Sequence, residues 1–298
     1  MQHEPNEGTA PPLGRRYEVD GRRLFLHRSG TGGPAVVFLP GAGAVGLDYL
    51  NVHQRVAELT TSVIYDRGGT GWSDPLPLPR TAAETATELR DLLRAAEIPG
   101  PYVLAAHSLG GTYARRFSQL FPDEVAGLLW LEGLHEDWDV HMPESMRLAN
   151  STQPLPDLDE QQLQQFRAYF SQMFATWPDE LRELLVERHL STEWLHSNNH
   201  QRSNVPELAA EIRAGGGGPD VPLIALTGVG IDPGQALFMS DEELRELNES
   251  KQKLFQTFAD SVTRGEHRVL EGAGHSTLHT DRPDAVVEAA RDLLSRLR

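Results

Sequence analysis

The stretch that most constrains this chain is Tyr102-Val103-Leu104-Ala105-Ala106-His107-Ser108-Leu109-Gly110-Gly111. An apolar run of strand length passes straight into a helical pattern, with a serine at the turn and small residues beside it. A chain can turn this sharply only where strand and helix pack nearly in contact, so bulky neighbours are excluded. The pattern is G-x-S-x-G with Ala106, a tolerable small substitute, in the first glycine's place. It would hold the Ser108 hydroxyl in a strained turn at the open end of a sheet, beside a helix N-terminus that favours negative charge. The plainer alternative is an inert serine N-cap.

The remaining pattern supplies a sheet for that turn. Arg15 to Val19 and Arg22 to His27 flank Asp20-Gly21, a hairpin signal. Ala35 to Leu39 is a continuous apolar run, as expected of a strand buried on both faces of a parallel sheet. A helix is expected near Leu47 to Leu59 and a strand at Ser62 to Tyr65. Thr81 and Glu84 form a capping box opening a helix that ends near Ile98-Pro99-Gly100. Further strands are expected at Tyr102 to Ala106, Val125 to Leu131, Pro222 to Leu226 and His267 to Leu270. Helices are expected from Leu109 to about Leu120 and from Pro283 to the end. This alternation predicts an α/β fold: a mostly parallel, doubly wound sheet with an antiparallel hairpin at its start.

One interval breaks the rhythm. Between about Leu134 and Asp220 the patterns are helical only, with Leu163, Phe166, Phe170, Met173, Phe174 and Trp177 at helical spacing and a second helix from Pro178 through Trp194. The expectation is a helical cap at 135–219 over the sheet's carboxyl edge, set into a core of 15–134 and 220–298. Most of the aromatic stripe should pack rather than touch substrate, and Gly215 to Gly218 should form the return. Residues 1–14 are polar and proline-containing, with no apolar segment of the signal-peptide kind, and are expected to be a flexible lead.

Charge narrows the partners. With 43 acidic against 27 basic residues the chain carries a formal −16, which repels nucleic-acid backbones and anionic membranes. The expected partner is a small-molecule substrate, with no nucleic acid and no membrane. Nothing in the sequence fixes an oligomeric state. The absence of cysteine removes disulfides and thiolate metal sites and suits a reducing compartment, so a cytoplasmic protein is expected.

Three further segments accompany the serine turn: Asp66-Arg67-Gly68-Gly69-Thr70-Gly71-Trp72-Ser73, Phe121-Pro122-Asp123-Glu124-Val125-Ala126-Gly127-Leu128 and Gly272-Ala273-Gly274-His275. In this order they resemble the α/β-hydrolase superfamily, from about Arg15 to Arg298 and least in the helical interval. The resemblance implies that Ser108 is a nucleophile. It also implies that His275, after the last strand, takes the serine proton and returns it to the leaving group. It places oxyanion donors at the amides of Ala42 and Leu109, and it implies no cofactor and no metal. The family often has His-Gly where this chain has Pro40-Gly41, so this loop needs a different support. His107 is expected to point away from the nucleophile and pack, and His279 to lie at the surface or pocket rim. The implied activity is hydrolysis of an ester or lactone through an acyl-enzyme. The superfamily also includes perhydrolases, lyases, amidases and ligand receptors.

Two carboxylates compete to orient His275. Asp232 follows the strand Pro222 to Leu226, the family's usual place, but only after Thr227-Gly228-Val229-Gly230-Ile231. Glu132 closes the apolar strand Gly127 to Leu131, a costly position for a carboxylate that lacks a partner. Glu132 is preferred and Asp232 stays open.

Two other patterns compete for attention. Gly41-Ala42-Gly43-Ala44-Val45-Gly46 matches G-x-G-x-x-G, with Asp66 about 20 residues on, as in a dinucleotide site. A dehydrogenase would leave the serine turn and the Gly272 to His275 turn unexplained. Glu132, His135, Glu136, Asp137, Asp139 and His141 cluster without a metal-ligand spacing and are expected to form an acidic, solvated loop.

Overall fold

The computed structural model describes residues 10–150 and 159–297, so most of the segment expected to be a flexible lead lies outside the described residues. The strands are β1 (Arg15–Val19), β2 (Arg22–Ser29), β3 (Val36–Leu39), β4 (Ser62–Tyr65), β5 (Tyr102–His107), β6 (Val125–Leu131), β7 (Leu223–Gly228) and β8 (Gly265–Leu270). They form one sheet in the order β1-β2-β4-β3-β5-β6-β7-β8. β1 and β2 pair antiparallel, as do β2 and β4, and all other pairs are parallel. The α/β class and the hairpin start agree with the sequence pattern. Asp20 and Gly21 turn the hairpin with φ of 48° and 74°, the left-handed values that a two-residue turn of this kind requires.

The chain's helices are α1 (Leu50–Val56), α2 (Ala82–Ala95), α3 (Gly110–Leu120), α4 (Trp138–His141), α5 (Glu160–Met173), α6 (Asp179–His189), α7 (Thr192–Arg202), α8 (Val205–Ala214), α9 (Asp241–Asp260), α10 (Leu278–Asp281) and α11 (Pro283–Ser295). Successive strand residues point to opposite faces, which divides the core in two. Val36, Phe38, Val103, Ala105, Leu129, Leu131, Ile224 and Leu226 face α1 and α11. Val37, Leu39, Leu104, Ala106, Leu128, Trp130, Leu223 and Ala225 face α2, α3 and α9. Every residue of β3, β4, β5 and β7 is buried, which explains their unbroken apolar runs. The edge strand β8 is only partly covered, and its Arg268 is tied to Glu266 and Asp292.

Between β6 and β7 the regular elements among the described residues are all helices, in keeping with the helical pattern of the sequence. The second helix of the interval differs from expectation: α6 stops at His189, and α7 begins after Ser191, whose hydroxyl accepts the Trp194 amide at 3.1 Å. The side-chain cap was legible in Ser191 but was overridden by the continuing apolar spacing. α8 packs on the core: its Leu208, Ala209 and Ile212 meet Tyr113, Ala114 and Phe117 in the α2–α3 layer.

Candidate active site

At the carboxyl end of β5 the turn forms as the spacing predicts. Ser108 has φ 50°, a left-handed value that costs a non-glycine residue free energy. The packing around it enforces this: a Cβ on Gly110 would stand 2.2 Å from the Leu39 carbonyl oxygen, so only glycine lets α3 begin there. The Ser108 carbonyl accepts the Leu134 amide at 2.6 Å, and His107 bridges to Glu132, so the ends of β5 and β6 are zipped together.

That zipper delivers Glu132. It too has φ 50°, and its carboxylate is buried. Oε2 lies 2.6 Å from His275 Nδ1, and His275 Nε2 lies 3.0 Å from Ser108 Oγ. A carboxylate can only accept, so Nδ1 carries the imidazole proton, and Nε2 is left to accept from the serine hydroxyl. His275 reaches this point on the loop after β8, two strands beyond β6 in the sheet. The loop crosses so close to β7 that a Cβ on Gly228 would meet the Ala273 carbonyl oxygen at 2.5 Å.

Asp232, the other candidate acid, does not face His275 Nδ1. Its oxygens accept the amides of Ser276 at 2.5 Å and Gln235 at 2.7 Å. The extra residues between β7 and Asp232 carry it past the imidazole, where it holds the backbone of the His275 loop instead.

The sequence reading missed Lys251. This α9 side chain is fully buried, with Nζ 2.9 Å and 3.1 Å from the two Glu132 oxygens, and the Gly228 amide donates to Oε1 at 2.8 Å. Burial alone would raise the Glu132 pKa. The Lys251 charge and the hydrogen bonds from His275 and Lys251 override it and hold the carboxyl at about 2. Lys251 is one of two lysines among 27 basic residues, and that rarity was the one signal available. Lys251→Met strands a buried carboxylate and is expected to cost about 3–5 kcal/mol in urea denaturation. An unchanged midpoint would show that the pair contributes nothing net.

The Pro40-Gly41 loop has the alternative support that its sequence requires. Buried Arg67 donates through Nη1 to the Pro40 carbonyl at 2.5 Å, and through Nη2 to the Gly41 carbonyl at 2.7 Å and Gln201 Oε1 at 2.6 Å. From the other side, the Gly41 amide donates to the Tyr49 hydroxyl at 3.3 Å. The same hydroxyl lies 2.6 Å from His107 Nδ1, and His107 Nε2 lies 2.9 Å from the His275 carbonyl. Burial and the neighbouring histidines push His107 down to about 3, so it is neutral. The carbonyl then requires the proton on Nε2, Nδ1 accepts from Tyr49, and the Tyr49 oxygen is free to accept from Gly41. His107 therefore does more than pack: it links the loop to the His275 backbone. The amides of Ala42 and Leu109 have no hydrogen-bond partner among the described residues, and both residues line the same cavity as Ser108. Arg67→Lys keeps a charge but loses the two-pronged grip, and kcat on an activated ester is expected to fall about 10–100-fold. A rate within twofold of the wild type would remove Arg67 from this role.

The cavity over Ser108 has a volume of about 360 Å³. Phe166, Tyr169, Phe170 and Met173 of α5, His189 of α6 and Trp194, Asn198 and Arg202 of α7 line it together with Ser108 and His275. The aromatic stripe thus divides: Phe166, Phe170 and Met173 reach the cavity, Phe174 and Trp177 pack below it, and Leu163 is partly exposed. Of the two places expected for His279 the structure gives the pocket: it lines the same cavity, buried and stacked on Tyr49 at 4.6 Å.

The two competing patterns go elsewhere. Asp66 is buried, its oxygens accepting the amides of Gly46 and Trp72, both at 2.7 Å, and burial pushes its pKa up to about 6 against those bonds. It holds the two loops together. In the acidic cluster, Glu132 turns to His275, while His135 and Glu136 are buried rather than solvated, because Arg115 of α3 draws Glu136 in. Asp139 accepts the Leu148 amide at 2.7 Å.

A family model described as the alpha/beta hydrolase family matches residues 36–289. An uncharacterized protein of Mycobacterium tuberculosis (strain ATCC 25618 / H37Rv) is 32% identical over 125 residues, 42% of this chain and 36% of its own length. The chain aligns with between 15% and 47% of the length of the first curated relatives it matches. Among solved structures, a thermophilic esterase from Thermogutta terrifontis superposes with a TM-score of 0.62 at 18% identity, over 95% of this chain and 98% of that one. A structure described as an N-acyl homoserine lactone degrading enzyme superposes with a TM-score of 0.57 at 18% identity, over 93% and 99%. At these identities the two structures are alike in fold. Among the described residues no helix is long and apolar enough to cross a membrane.

Proposed function

The chain belongs to the alpha/beta hydrolase family, and on that premise we propose that it is a serine hydrolase cleaving an ester or lactone of a small molecule through an acyl-enzyme. The observation that carries this reading is the unbroken relay from the Glu132 carboxylate through His275 to the Ser108 hydroxyl, at 2.6 Å and 3.0 Å. Ser108 Oγ attacks the substrate carbonyl carbon as its proton passes to His275 Nε2. The carbonyl oxygen becomes an oxyanion, for which the amides of Ala42 and Leu109 are the donors. As the carbon–oxygen bond to the leaving alcohol breaks, His275 returns the proton to that oxygen. Water, deprotonated by His275, then attacks the acyl carbon; the acyl–Oγ bond breaks, His275 returns the proton to Ser108 Oγ, and the acid leaves. Glu132 keeps the imidazole in one tautomer and stabilises the imidazolium, without taking its proton.

In this reading α5, α6 and α7 act as a cap, and their aromatic side chains select an apolar portion of the substrate. An ester or lactone is also what the two structurally similar proteins are described as acting on. The cysteine-free composition suits a cytoplasmic site of action. A fluorophosphonate probe is expected to label the protein once, with the adduct on Ser108 by peptide mass spectrometry, and to abolish hydrolysis of 4-nitrophenyl acetate. Full turnover after stoichiometric labelling, or an adduct on a different residue, would overturn the proposal.

A further inference from the structure

The cavity over Ser108 holds two carboxylates, and both are matched. Glu132 is paired with Lys251 and His275. Asp48 is paired with His189 at 3.0 Å and accepts the Val45 amide. The wall contributes one further charge, Arg202 at the end of α7. Its guanidinium makes no hydrogen bond and no ion pair among the described residues, although the chain carries 43 acidic side chains. Burial lowers its pKa, with no compensating partner, yet a guanidinium stays protonated at any ordinary pH. One helical turn earlier, on the same face of α7, stands Asn198. It is 6% exposed, lines the same cavity, and its amide group has no hydrogen-bond partner among the described residues. A Cβ on Gly43 would lie 3.0 Å from Asn198 Oδ1, which puts this side chain beside the loop that carries the Ala42 amide.

Unpaired charges and amides in a largely aromatic wall are unfavourable unless a ligand completes them. Resting on the hydrolase reading above, we propose that the substrate is an ester or lactone that also bears a carboxylate, which Arg202 receives with Asn198 as a neighbouring donor. The charge balance selects this group. A single guanidinium neutralises a monoanion, whereas a phosphate monoester dianion would leave a negative charge uncompensated in the apolar cavity, in a protein already at −16. Arginine also matches a carboxylate with two parallel N–H bonds, a fit that fixes the substrate's orientation relative to Ser108.

Paired substrates test this. One pair places the charge on the acyl side: mono-4-nitrophenyl glutarate and its methyl ester. The other places it on the leaving group: 4-acetoxybenzoate and methyl 4-acetoxybenzoate. In at least one pair the wild type is expected to favour the carboxylate in kcat/KM by about tenfold or more. Arg202→Gln should reduce that ratio at least tenfold, and Arg202→Lys should restore part of it. Equal losses for both members of each pair, or a preference for the neutral ester in both, would overturn the proposal. So would faster cleavage of 4-acetoxyphenyl phosphate than of 4-acetoxybenzoate. Turnover of the neutral esters reads the hydrolase proposal separately. Should no ester be cleaved, calorimetry with monomethyl glutarate and 4-hydroxybenzoate on the folded protein still decides the carboxylate site. Binding lost in Arg202→Gln supports it, and binding of neither acid, or binding that survives the substitution, rejects it.

Discussion

Ser108→Ala is expected to lower kcat for 4-nitrophenyl acetate by at least about four orders of magnitude. The whole relay ends on one oxygen atom, 3.0 Å from His275 Nε2, and among the described residues no other hydroxyl hydrogen-bonds that nitrogen. The fold should survive, because the turn is held by backbone bonds from Gly111 and Leu134 to the Ser108 carbonyl, which alanine keeps. A second substitution separates chemistry from strain. At φ 50° alanine is as strained as serine, but glycine is not, so Ser108→Gly should be more stable than Ser108→Ala by about 1 kcal/mol while equally inactive. Wild-type turnover in either variant would refute the proposed mechanism. Equal denaturation midpoints would show that the turn stores no strain.

Glu132→Gln is expected to reduce kcat about 10³–10⁴-fold, because an amide can donate to Nδ1 as readily as accept from it and no longer stabilises the imidazolium. Asp232→Asn should cost less than about tenfold, since an asparagine oxygen can still accept one of the two amides that Asp232 binds. The reverse ranking would mean that the relay runs through the other loop. Acid should expose the same carboxylate. The Glu132 pKa is lowered on folding, from 4.5 to about 2, so its ionisation stabilises the folded state fully above pH 4.5. That contribution is lost progressively as pH falls from about 4.5 toward 2, a window worth about 3 kcal/mol. Urea midpoints for the wild type should fall more steeply across this window than those for Glu132→Gln. Parallel slopes would contradict the lowered pKa.

Much of this site was legible before any coordinates. Ser108, the Gly272 to His275 turn and the carboxylate closing β6 each combine a reactive residue with a local pattern that fixes its place in the fold. The groups that were missed act across the sequence. Lys251 meets Glu132 only because α9 packs against β7 and β8, beside the end of β6, and nothing around it on α9 differs from an ordinary amphipathic helix. Arg67 was visible as part of a turn motif, but its grip on Pro40 and Gly41 depends on β3 and β4 being neighbours. Glu136 was misplaced because polar residues in loops are usually solvated, and here Arg115 pulls it in. The break between α6 and α7 lay within reach, since Ser191 is a good N-cap. Continuing apolar spacing outweighed it.

The guanidinium of Arg67 holds the carbonyls of Pro40 and Gly41 with one hand and Gln201 of α7 with the other. Trp194, on the same helix, donates its indole N–H to the Gly43 carbonyl at 2.7 Å. The strip of backbone carrying the Ala42 amide is therefore fastened to the very helix that roofs the cavity. Displacing α7 would break both bonds, so the seat of this backbone strip depends on the helix that lines the cavity beside it.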